Sequence, residues 1–547
     1  MAPKDGELVS RSYREDTFVL DSVWRTPTGA VQITEFMPKT DDEHYDSPSD
    51  LVRTATCLEG HVVIEHDFRV RFSYGESVPW VRKVKVGDGV ALSAIAGPDA
   101  VYLTGPMLSP GQNKHHEGAF DIKAGERLTW TLTWEPSWMP PPEIVNPDDV
   151  IDRTEEFWRN FANEITCEGK YAGAVRRSLL VLRALTEKHT GGIVAAATTS
   201  LPEDFGGERN WDYRYVWLRD SALTIEALMT HGLTNGAEAW RQWLLRAIAG
   251  DPENLRIMYG LGGERHLPEF ELDHLPGYEN STPVRIGNGA ADQFQGDVVG
   301  EVMVALEQVR EAGVEEDEFS WGIQQALLDF ATANFDRKEH GIWEMRGELD
   351  TFTHSRAMMW AAYDRGIKAV EKYGLPGKVD HWREQRDRLH EEIESQGWND
   401  EINAYTQMYG STEVDASLLQ LAQIGYVDWE DTRMLSTVAK IEEDLLDDHG
   451  FLHRYRTESG KDGLEGDEYP FLICTFWLVT QYANSGRVAE AEALMDKLVD
   501  IASPQGLLAE EYSTKDKRLA GNYPQAFSHL GLVQAADALE NVATGNK

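Results

Sequence analysis

Cysteine is nearly absent from this chain of 547 residues: Cys57, Cys167 and Cys474 are the full set. Three cannot all pair, and their spacing matches no zinc pattern, so neither a disulfide scaffold nor a structural zinc site is expected. Long apolar runs are missing as well. No stretch of about eighteen apolar residues occurs, so no transmembrane helix is expected. The opening Met1-Ala-Pro-Lys-Asp-Gly-Glu-Leu8 lacks the apolar core of a secretory signal. Positive charge is the third shortage. Lys and Arg number 52 against 93 Asp and Glu, a net charge of −41. That balance argues against nucleic acid and anionic membranes, which need clustered basic side chains. A soluble, cytoplasmic protein acting on a small neutral ligand is the expectation; self-association into a homo-oligomer is compatible with it.

The length exceeds what one ordinary core fills, so two domains are expected. Residues from about 8 to 136 read as β. Thr17–Trp24, Val31–Phe36, His61–Phe72 and Leu128–Trp134 largely alternate apolar and polar residues, the period of half-buried strands. Asp88-Gly89 and Gly97-Pro98 are turn signals between strands. An antiparallel sandwich is the simplest closed arrangement. Trp138-Met-Pro-Pro-Pro-Glu143 breaks the pattern and reads as a stiff linker. Beyond it the period becomes helical, with roughly a dozen segments running from Asp149 to Leu539. The expected organisation is a β-sandwich at 1–137, a linker at 138–148 and a helical domain at 149–547. Six helical hairpins closed in a ring make an (α/α)6 barrel, although periodicity alone says nothing of closure.

Three segments combine aromatic rings with carboxylates and guanidiniums. They are Glu208-Arg-Asn-Trp-Asp-Tyr-Arg-Tyr-Val-Trp-Leu-Arg-Asp-Ser221, Gly341-Ile-Trp-Glu-Met-Arg-Gly347, and Gly506-Leu-Leu-Ala-Glu-Glu-Tyr512 continued by Gly521-Asn-Tyr-Pro-Gln-Ala-Phe-Ser-His529. This mixture suits a sugar: the apolar face of a pyranose stacks on Trp and Tyr, and its hydroxyl edge pairs with Arg and Asp. Two carboxyl groups across a glycosidic bond then suffice to hydrolyse it.

On these segments, together with Gly191–Pro202, Gly287–Gln293 and Cys474-Thr-Phe-Trp477, the chain resembles glycoside hydrolase family 15 from about residue 15 to residue 540. The resemblance implies an N-terminal antiparallel β-sandwich followed by an (α/α)6 barrel. It also implies an inverting, exo-acting α-glucosidase that needs no metal or organic cofactor. Glu344 is then the general acid and Glu510 the general base. Glu510 has an acidic neighbour, Glu511; on an extended backbone the two point to opposite sides, and the resemblance selects Glu510. Trp343, next to Glu344, is expected to desolvate the acid and raise its pKa.

The resemblance assigns the terminal sugar to Arg219 and Asp220, and Tyr213, Trp217 and Trp343 become pocket walls. Either Arg454 or Arg456 matches a substrate-contacting Arg, with Arg454 favoured; Arg285 and His354 are weaker candidates. Met345 after Glu344, where a second acid is usual in fungal members, and Phe471, where Trp is common, depart from the family pattern. Both are expected to alter the substrate choice. The expected substrates are short malto- or isomalto-oligosaccharides, with trehalose as the alternative.

Overall fold

The computed structural model describes residues 1–39, 49–143, 146–249, 254–464 and 466–545; positions 144 and 145 of the expected linker lie outside them. The described chain forms two compact units, Met1–Glu164 and Ile165–Lys547.

The first unit is an antiparallel β-sandwich of eleven strands. Its organising element is the long strand Ser49–Phe68. The first half pairs with Gly29–Phe36 on one side and Arg127–Pro136 on the other. The second half pairs instead with His116–Lys123 and Ala2–Pro3. The change of partners falls at Gly60, where φ is +68° and a Cβ would come within 2.1 Å of the Thr28 carbonyl oxygen, so only glycine fits. One strand thus serves both layers, and Val31, Ile33, Val62, Ile64, Ile122 and Trp130 meet in the core between them. Asp88-Gly89 and Gly97-Pro98 do turn between strands, linking Trp80–Val86, Gly89–Ala96 and Asp99–Thr104 into a meander.

The helix Pro147–Glu164 belongs with the sandwich, not with the helical domain that was expected to begin at 149. Its Val150 packs with Val19, Phe36 and Val52, and its Trp158 meets Phe18 edge-on at 4.7 Å.

In the second unit the helices form two concentric rings. The inner ring runs through Leu218–Thr230, Val298–Glu311, Thr353–Tyr373, a short helical stretch at 416–423, Leu472–Asn484 and Ala526–Thr544. The last of these packs back against the first, which closes an (α/α)6 barrel. Ala172–Ala184, Thr234–Ile248, Glu318–Ala333, Val379–Glu392, Thr432–Leu445 and Val488–Asp500 make the outer ring. Sequence explains the sorting. Leu472–Asn484 is apolar on every side and buries all but its final residue, whereas Val379–Glu392 buries only Trp382 and Leu389. A helix apolar all round must sit inside, and one with a single apolar stripe can face water.

Boundaries shift in informative places. The helix Leu218–Thr230 carries Arg219 and Asp220 in its first turn, although the sequence reading of this helix started only at Ser221. The one expected to reach Gln396 gives way after Glu392 to a wider π turn at Ile393–Gly397. No helix among the described residues is long and apolar enough to cross a membrane.

Candidate active site

The barrel holds a cavity lined by residues of the second unit. Nine of the residues singled out from the sequence line it: Tyr213, Trp217, Arg219, Asp220, Trp343, Glu344, Arg454, Phe471 and Glu510.

The segment 211–220 runs from mouth to floor. Trp211 and Tyr213 are half-buried, Trp217 is buried, and Arg219 and Asp220 are 8% and 4% exposed. Val216 and Trp217 form a two-residue strand against Met258–Tyr259, and the chain then enters the helix Leu218–Thr230. Arg219 Nε donates to Asp220 Oδ1 at 2.8 Å and Nη1 to the Ile342 carbonyl at 2.9 Å. Its guanidinium also lies over the Phe527 ring at 5.0 Å. The floor is therefore a fixed, neutral-paired fork.

Glu344 sits in a turn whose backbone N–H donates to the Gly341 carbonyl. Its φ of +57° is a left-handed conformation uncommon for a side-chain-bearing residue. Such strain persists only where the surroundings over-determine it, typically at functional positions. Gln293 Nε2 helps, donating to the Glu344 carbonyl at 3.1 Å. The carboxyl is held by Trp217, whose Nε1 donates to Oε1 at 2.6 Å. Burial raises the Glu344 pKa above the usual range, while Arg219 and the Trp217 bond pull it back in part. Trp343, expected to desolvate the acid, lines the same cavity but does not hydrogen-bond the carboxyl through its indole N–H. The Trp343 indole turns away to donate to Asp415 Oδ2 at 2.8 Å, and its ring walls the cavity beside Phe471 and Tyr455.

Glu510 is fully buried. Its backbone is pinned between the Asn522 carbonyl, which accepts its N–H, and the Leu472 N–H, which donates to its carbonyl. Tyr213 Oη donates to Glu510 Oε1 at 2.7 Å, leaving Oε2 without a hydrogen-bond partner. Gly521, at φ +77°, leaves room for it: a Cβ there would sit 2.8 Å from Oε2. Glu511 points elsewhere, accepting from the Tyr469 N–H at 3.0 Å, and does not line the cavity.

Behind Glu510 lies a buried charge network. Arg454 donates to Glu468 through Nε and Nη2 (2.7 and 2.6 Å) and to Glu203 Oε2 at 2.8 Å. Arg209 pairs with Glu468 and Asp462. Glu203, Glu468 and Glu511 each bring a carboxylate oxygen within 4.8 Å of the others; Arg454 lies between two of them as their shared cation. Burial and then the charge of Glu203 push the Glu510 pKa well up, against the opposing pull of Arg454 and Tyr213.

Other candidates resolve plainly. Arg454 lines the cavity, whereas Arg456 points outward to Glu413. Arg285 and His354 are buried and do not line it, and neither does Met345, which is 2% exposed. Met345 thus offers no wall to the cavity, and the next residue, Arg346, faces it. Glu203, Trp211, Arg346, Tyr455 and Phe527 are among the lining residues that sequence reasoning passed over. The signal was close at hand. Trp211, Arg346 and Phe527 lie inside the three segments quoted above, and Glu203 follows Gly191–Pro202 directly.

Residues 169–537 match the model of glycosyl hydrolases family 15. The chain belongs to that family. As a family 15 member it is a glycoside hydrolase. Among its relatives, the trehalase of Mycobacterium tuberculosis is 34% identical over 96% of this chain and 80% of that protein. The trehalase of Thermoplasma acidophilum is 32% identical over 97% of this chain and 90% of that protein. A bacterial glucoamylase solved with acarbose shares the fold across 98% of this chain and 86% of its own, with a TM-score of 0.73 at 14% identity.

Proposed function

We propose that this family 15 enzyme hydrolyses α,α-trehalose with inversion, Glu344 acting as general acid and Glu510 as general base. The observation that carries the chemistry is the pair of carboxyls facing one cavity, each anchored through a single oxygen by an aromatic donor: Trp217 on Glu344 and Tyr213 on Glu510. Arg219 and Asp220, paired at the floor, read the hydroxyls of the sugar being attacked and leave no path beyond it, which makes the enzyme exo-acting. Glu344 gives its proton to the glycosidic oxygen. Glu510, through its unpartnered Oε2, takes a proton from water as that water attacks the anomeric carbon from the opposite face. Trp343 and Phe471 supply apolar wall, and Arg454 holds the charge network behind the base.

Trehalose is favoured over the short malto- and isomalto-oligosaccharides expected from sequence because relatives named as trehalases align along nearly the whole chain. The deciding experiment is a proton NMR time course on trehalose, maltotriose and isomaltose in separate tubes. Inverting cleavage of trehalose yields one β-glucose from the attacked ring and one α-glucose from the leaving ring in equal amounts at early times. Early α-glucose alone would refute inversion, and turnover of maltotriose or isomaltose without trehalose would refute the substrate.

A further inference from the structure

The general acid must sit beside the leaving oxygen, so side chains next to Glu344 toward the cavity mouth are the ones a leaving group meets. In the run 344–346 the structure alternates: Glu344 faces the cavity, Met345 is buried away from it, and Arg346 faces it again. The Arg346 backbone is fixed, its N–H donating to the Asp462 carbonyl at 2.8 Å. The side chain, 31% exposed, lies over the Trp211 ring at 4.2 Å. Trp211 is half-buried at the mouth, two residues before the Tyr213 that holds Glu510.

A carboxylate locks this pair. Glu269 accepts from Arg346 Nη2 at 3.0 Å and Nη1 at 3.3 Å, and from the Gly289 N–H at 3.0 Å. The same carboxylate lies 3.8 Å from Arg285, whose guanidinium is also over Trp211, at 4.6 Å. Arg285 is immobilised in turn, donating to the Glu208 carbonyl at 2.6 Å and exchanging backbone bonds with the Ser200 hydroxyl. Arg219 and Arg454 are tied at the floor and behind the base, so Arg346 is the guanidinium at the mouth beside the acid. With Glu269 balancing its charge, it suits hydroxyl groups better than an anion.

We propose that Arg346, held over Trp211 by Glu269, is the specificity-determining residue of the leaving-group subsite, where it selects a single uncharged hexose by hydrogen bonds to its hydroxyls. This rests on the reading of Glu344 and Glu510 as the catalytic pair and of trehalose as substrate.

The test compares kcat/KM on trehalose with kcat/KM on α-D-glucosyl fluoride, whose one-atom leaving group needs neither the acid nor the subsite. Losing a charge-assisted hydrogen bond corresponds to about 10–100-fold. Arg346→Ala is expected to lower the trehalose-to-fluoride ratio by that factor, and Arg346→Lys, which keeps the charge but not the planar fork, is expected to restore little of it. An equal loss on both substrates, or no loss on trehalose, would overturn the proposal. Turnover of the fluoride also shows that each variant is folded. If the parent enzyme cleaves the fluoride and maltose but not trehalose, the substrate reading fails, and the same ratio measured on maltose decides the subsite. A parent enzyme inert on the fluoride would sink the catalytic reading and this one with it.

Discussion

Trp217 and Tyr213 each take one oxygen of a carboxyl group and leave the other to the cavity. An indole N–H can only donate, so Glu344 Oε1 accepts, and in the proposed mechanism the transferable proton belongs on Oε2. On Glu510 the tethered oxygen is again Oε1, and Oε2 is the one that the proposed mechanism assigns to taking a proton from water. Replacing either carboxyl by the isosteric amide, Glu344→Gln or Glu510→Gln, should lower kcat by about 10²–10⁴-fold while leaving sugar affinity nearly intact. Steady-state kinetics beside calorimetric binding check both halves; near-parent turnover in either variant would remove that residue from the mechanism. The charge network makes a second forecast. Burial and Glu203 hold the Glu510 pKa up, so the acid limb of the pH–rate profile should lie above that of an ordinary Glu. Glu203→Gln keeps an oxygen for Arg454 but removes the neighbouring negative charge. The Glu510 pKa then falls, and the acid limb of kcat/KM should move to lower pH. A profile that stays in place, or moves up, would contradict the coupling.

Elements differ in how far sequence reveals them. The helices read from periodicity are present with their ends moved by a few residues, because each carries a stripe or a full jacket of apolar side chains. The strands Glu7–Tyr13 and Trp80–Val86 escaped notice since they expose most of their residues and so show little alternation. At the site, segments rich in mixed aromatic and charged residues were legible, but the direction of a side chain within them was not. Trp343 and Trp217 are both Trp near a carboxylate in a quoted segment, and only tertiary contacts decide which one holds Glu344. A few helix starts do carry the side-chain cap that local chemistry favours. Asp431 accepts from the Arg433 N–H at 2.8 Å at the start of the outer helix Thr432–Leu445. Asp431→Ala should cost about 1 kcal/mol of stability, seen as a lower denaturation midpoint in urea, with kcat on the best substrate unmoved. A change in kcat would mean that this outer helix reaches the cavity.

The whole molecule carries 41 more acidic than basic side chains. Such a surplus repels itself in the compact state, and salt screens it over a Debye length of about 10 Å at 0.1 M. The thermal midpoint should therefore rise between about 10 and 200 mM sodium chloride, and a midpoint that fell would show that ion pairs outweigh the repulsion. Ring closure is the feature at this scale that periodicity could not reveal, since it depends on Ala526–Thr544 returning to Leu218–Thr230. Phe527, under Arg219, belongs to that returning helix, and Glu510 shortly precedes it. A ribosome therefore releases Arg219 and Asp220 hundreds of residues before Glu510 and Phe527, which line the same cavity. A nascent chain can enclose the cavity only once that closing helix has emerged and docked.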